Sequence, residues 1–129
     1  MRSMLESRYL VRNILLIRIY IMYEFYTKYI QSEVWRRKRR KYFTSKMYKT
    51  YPTGKKAGKF VCYCCGSEER LDLHHRTYER LGKERIAIDL VPVCKGCHSN
   101  IHKLHKEGRT LWRATKKVRR KLRKRLDYV

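Results

Sequence analysis

Apolar and polar positions divide this chain into segments of different character. Ile14-Leu15-Leu16-Ile17-Arg18-Ile19-Tyr20-Ile21-Met22-Tyr23 is a nearly unbroken apolar run. It reads as a helix packing on the domain or as an extension. A membrane-spanning helix needs roughly 20 apolar residues. This run is half that, holds Arg18 and lies between Arg12 and Glu24, which argues against a span and against a signal-peptide core. Ser32-Glu33-Val34-Trp35 marks a helix start, with Ser32 as cap and Glu33 at the positive end of the dipole. That helix is predicted to reach about Met47, with Trp35, Tyr42, Phe43 and Met47 on an apolar stripe crossed by the block Arg36–Lys41. Tyr51 to Lys59 is a Gly- and Lys-bearing connector. Leu71–His75 alternates apolar and polar residues as a short strand does, and Ile86–Val93 reads as a second strand after a polar loop over 76–85. Helices are predicted from Cys97 to about Lys106 and over 109–126, the last with a stripe at Leu111, Thr115, Val118 and Leu122.

Charge sharpens this division. Net charge is +23 over 129 residues. From Cys62 to His102 six basic residues balance six acidic ones, whereas residues 1–61 carry +13 and residues 103–129 carry +10. A neutral centre between cationic flanks suggests a chemical module held on a polyanion by its arms. Residue ranges follow: an apolar and basic extension over 1–24, a basic helix and linker over 25–61, the module over 62–106 and a basic helix over 107–129. Met22 offers a second candidate start for the chain.

The module is short for folding on apolar burial alone and is expected to need a metal. Cys62-x-x-Cys65 and Cys94-x-x-Cys97 are two knuckles with twenty-eight residues between them. Four thiolates in tetrahedral array suit structural zinc and leave no open position for chemistry. Cys64 is the spare of five cysteines; Gly66 after Cys65 favours the Cys62/Cys65 turn over a Cys62/Cys64 pair. The odd count suits a reducing compartment, so a cytoplasmic location in a bacterial or phage-infected cell is expected.

Histidines form a second constellation. His98 and His102, four apart on a helix, share one face. His74 and His75 are neighbours on a strand and face opposite ways. One can complete a three-His metal site with His98 and His102; the other then suits the role of general base. If His98 replaced a cysteine in the zinc site, the result would be a plain zinc finger.

The strings Leu73-His74-His75-Arg76, Asp89-Leu90-Val91-Pro92-Val93-Cys94 and Cys97-His98-x-x-x-His102 together resemble the HNH endonuclease family. Tyr29-Ile30-Gln31-Ser32-Glu33-Val34-Trp35 extends the resemblance upstream, toward phage and bacterial members. The resemblance covers about residues 25–106. It implies an α+β fold: a small ββα-metal, treble-clef-like, zinc-stapled module, here flanked by basic helices. It also implies that His75 is the general base and that His74, His98 and His102 hold a catalytic divalent ion (magnesium, manganese, nickel or zinc). Asp89 would occupy the family's middle position, often Asn, that secures the base and its loop; a carboxylate touching His75 would raise its pKa. The expected partner is DNA, gripped mainly through backbone phosphates by Arg36, Arg37, Arg39, Arg40, Arg76, Arg80, Lys116, Lys117, Arg120 and Lys124, with no small-molecule cofactor. Two other readings compete: a non-catalytic zinc-ribbon nucleic-acid-binding protein, and a membrane-surface protein using Leu10–Ile30.

Overall fold

The computed structural model describes residues 4–45, 55–56 and 59–127. The chain divides into two units, Met1–Arg37 and Lys38–Val129. In the first unit the apolar run lies within helix α1, Met4–Ile30. Its large side chains, among them Ile14, Leu15, Ile17 and Ile21, are exposed. Among the described residues no helix is long and apolar enough to cross a membrane. Helix α2 spans Glu33–Thr44. Ser32 caps it as the sequence predicts, its Oγ accepting from the Trp35 amide at 3.2 Å. The Tyr29 and Trp35 rings meet at a tilt, with centroids 5.6 Å apart. Met47 and most of the connector lie outside the described residues.

The second unit contains two antiparallel strand pairs. β1 (Lys55–Lys56) pairs with β2 (Lys59–Phe60), and Phe60 packs on Tyr42 and Phe43 of α2. β3 is Leu71–His75 and β4 is Leu90–Cys94. They are registered so that Leu71 faces Cys94 and His75 faces Leu90. Strand β4 is therefore shorter than the expected Ile86–Val93. Its first half is instead a one-turn helix, α3, Ile86–Asp89. The reason is local: Asp89 Oδ2 accepts the Arg85 amide at 2.8 Å, and the Arg85 carbonyl accepts the amides of Ile88 and Asp89. An Asp that closes a turn in this way competes directly with a strand ladder.

Helix α4, Lys95–Lys106, follows β4 without a loop and is capped by Cys94, whose Sγ accepts the Cys97 amide at 3.4 Å. It thus starts two residues before the predicted Cys97. Gly108 ends the turn after α4 at φ 103°, in the left-handed region open to glycine. Helix α5 then runs Leu111–Asp127. Its stripe packs inward: Leu111, Ala114, Thr115 and Val118 are buried, with Val91, Val93, Cys97 and Ile101 among the buried residues of the same core. The architecture is α+β, with a small antiparallel sheet and a four-cysteine cluster.

Candidate metal centres and the histidine cluster

Cys62, Cys65, Cys94 and Cys97 bring their sulfurs within 4.8 Å of one another. Zinc–sulfur bonds of about 2.3 Å in a tetrahedron imply sulfurs about 3.8 Å apart. Cys65 Sγ and Cys94 Sγ are 3.7 Å apart. Gly66 sits at φ 78°, and its amide bonds the Cys62 carbonyl at 2.9 Å, forming the knuckle turn. A hydrogen bond from Cys64 brings the Cys62 thiol down to about 4 against the effect of burial. Burial and the neighbouring sulfurs push Cys65 and Cys97 up. Several thiolates thus cannot share this space without a cation, and the cluster fits a structural ion such as zinc. Cys64 is pushed up first by its bond to Cys62 and then by burial, so it remains a thiol beside the ligand set.

Strand parity separates the paired histidines. His74 turns toward α4, with its ring 5.1 Å from that of His98 and 5.9 Å from that of His102. One nitrogen of each of these three lies within 4.8 Å of the others. His98 Nε2 and His102 Nε2 are 3.0 Å apart. Metal–nitrogen bonds of about 2.0–2.1 Å place two donors about 2.9 Å apart at a right angle and about 3.4 Å apart at the tetrahedral angle. The trio therefore fits one ion. Burial, then the nearby His98 and His102, hold His74 well below the ordinary imidazole pKa. Burial, then His98, lower His102 to about 4. Neutral imidazole is the form that binds metal.

His75 faces the other way and is buried against Glu84, with Nε2 3.0 Å from Oε1. Glu84 also accepts the ammonium of Lys38 and, at 3.0 Å, the Gly82 amide. Burial alone would raise Glu84, but Lys38, the Gly82 amide and His75 outweigh it and leave the carboxyl at about 2. Burial lowers His75, and Glu84 partly opposes that.

Asp89 bonds within the loop between the strands. Arg80 grips it through two bonds of 2.7 Å, and the Arg85 amide adds a third. Arg80 first, then the Arg85 amide, lower its pKa against burial. Its carbonyl accepts the Arg76 amide at 2.7 Å. Asp89 thus secures the loop, and the carboxylate bonded to the imidazole is Glu84. Arg80, expected at the phosphate backbone, directs its Nε and one terminal nitrogen at Asp89. Arg76 is also engaged, lying 3.6 Å above the Trp112 ring and bonding the Ile88 carbonyl.

The remaining basic residues stay at the surface. Arg36 and Arg37 pair weakly with Glu33, at 3.8 and 3.7 Å. Arg39 lies 3.9 Å from Asp72, and Arg40 is exposed. On α5, Lys116, Lys117 and Arg120 line one groove with Arg109, Arg113 and Lys121, three cations absent from the sequence prediction. The side chain of Lys124 lies outside the described residues. Three residues that touch the histidines also escaped prediction, Glu84, Asp72 and Thr115, as did Lys38, which bonds Glu84. Only Thr115 carried a signal, as the one hydroxyl in the apolar stripe of α5. No protein-family model, curated protein or solved structure matches this chain.

Proposed function

We propose that β3, β4 and α4 form a ββα-metal module of HNH type, and that the protein is a metal-dependent endonuclease hydrolysing DNA phosphodiester bonds. One observation carries this reading: consecutive histidines on one strand face opposite ways and meet different partners. His74 joins His98 and His102, while His75 meets a carboxylate. A purely structural or zinc-ribbon role needs the cysteine cluster and gives no reason for this division.

His74, His98 and His102 would hold the divalent ion, which when bound neutralises charge on the scissile phosphate and stabilises the departing 3′-oxygen. His75 takes the proton from an in-line water. Glu84, ionised, accepts from His75 Nε2–H and makes Nδ1 the basic nitrogen. Glu84 also stabilises the imidazolium that forms, as a buried carboxylate does for a catalytic histidine. The products are a 5′-phosphate and a 3′-hydroxyl. The cations of α5 bind backbone phosphate, giving affinity without sequence preference.

Conversion of supercoiled plasmid to nicked or linear form, with and without added manganese, nickel or magnesium, tests the proposal. Ion-dependent cleavage by the parent protein that is lost in His75→Ala supports it. Binding without cleavage under every ion would return the chain to the zinc-ribbon reading.

A further inference from the structure

The three clustered histidines do not meet their surroundings equally. Thr115, on α5, has a single hydroxyl proton and donates it to the Leu111 carbonyl at 2.7 Å. Its Oγ1 lies 2.9 Å from His74 Nε2, with both side chains buried. A hydroxyl whose proton is already committed can only accept. His74 must therefore carry its hydrogen on Nε2, and its lone pair is on Nδ1. On the neighbouring ligand, His98 Nδ1 lies 3.2 Å from Asp72 Oδ2. A carboxylate also accepts, so His98 carries its hydrogen on Nδ1 and offers Nε2, the nitrogen 3.0 Å from His102.

We infer that Thr115 and Asp72 are positioning residues that preset the two ligand tautomers, His74 binding the ion through Nδ1 and His98 through Nε2. This rests on the metal-site reading above and deepens it. Partners of this kind fix ring orientation and raise ligand basicity, and their loss typically weakens metal binding 10–100-fold. Thr115 lies outside the segment that resembles a nuclease, so the basic C-terminal helix becomes part of the metal centre as well as a cationic arm. Its placement is supported a second time: Cys64 Sγ, beside the four-cysteine cluster, lies 4.0 Å from the Thr115 carbonyl. One residue of α5 thus touches the surroundings of both centres.

The full chain, loaded with zinc at the cysteines and labelled with nitrogen-15 at histidine, tests this without any cleavage assay. Long-range proton–nitrogen spectra should show His74 as the Nε2–H tautomer and His98 as the Nδ1–H tautomer. Nickel titration by calorimetry should show affinity reduced about 10–100-fold in Thr115→Val and in Asp72→Ala. Thr115→Ser and Asp72→Asn, which keep an acceptor, should recover most of it. The opposite tautomers, or nickel affinity unchanged in both T115V and D72A, would overturn the assignment alone. An absence of nickel binding by the parent protein, with the tautomers as stated, would overturn the metal site itself and this inference with it.

Discussion

Glu84 Oε1 lies 3.0 Å from His75 Nε2, and the two side chains are buried together. This pair gives the proposed base its partner, and the pH dependence of the protein should follow from it. Burial lowers the His75 pKa, while Glu84 opposes that shift. An imidazole acts as a base only when neutral, so the acid limb of the cleavage rate should fall below the ordinary histidine value of about 6.5. Glu84→Gln removes the opposing charge. Its limb should move to lower pH and its plateau rate should fall. A limb that stays in place would separate Glu84 from the base.

The same carboxylate should affect acid stability. Glu84 sits at about 2 in the folded chain and near 4.3 when unfolded. A depressed carboxyl contributes stability that is complete above the unfolded value and is lost as pH falls through the folded one. The part of the gap in unfolding free energy between the parent and Glu84→Gln that Glu84 itself contributes should therefore shrink as pH falls from roughly 4.3 to about 2. Chemical denaturation across that range checks it, and a gap independent of pH would contradict it.

Removing the metal from the cysteine cluster should unfold the second unit. Cys62 and Cys97 are buried core residues, and Cys94 also caps α4. In such small domains metal binding and folding are one free energy. A strong chelator, or Cys97→Ser, should abolish the tertiary near-ultraviolet dichroism, and zinc should restore it after chelation. Retention of that signal in excess chelator would assign the fold to apolar packing alone.

The groove on α5 predicts salt dependence. Replacing Lys116, Lys117 and Arg120 with Gln should weaken DNA binding similarly across sequences. It should also make the slope of log affinity against log salt shallower by about 0.9 per lost phosphate contact, up to about 2.7 for the three. An unchanged slope would move the DNA contact elsewhere.

Features whose geometry is set by short-range spacing were legible in the sequence. Cys62/Cys65 and Cys94/Cys97 each span one tight turn, and His98 and His102 one helical turn. His74 and His75 are divided by strand parity alone. Residues whose roles depend on tertiary approach were not legible. Glu84 lies in a polar loop with no periodicity, and Thr115 is forty-one positions from His74. Asp89 shows the limit most clearly. The sequence put it inside the second strand, Ile86–Val93, but its bonds to Arg80 and the Arg85 amide turn the chain there and shorten that strand.

The central claim is that His75 is a base and His74 a ligand, although they are adjacent on one strand. The most direct test is plasmid nicking by His75→Ala and His74→Ala beside nickel calorimetry on the same zinc-loaded preparations. The account predicts that both variants lose cleavage, that His75→Ala still binds nickel as the parent does, and that His74→Ala does not. Cleavage retained by His75→Ala, or nickel binding lost with His75 and kept without His74, would contradict it.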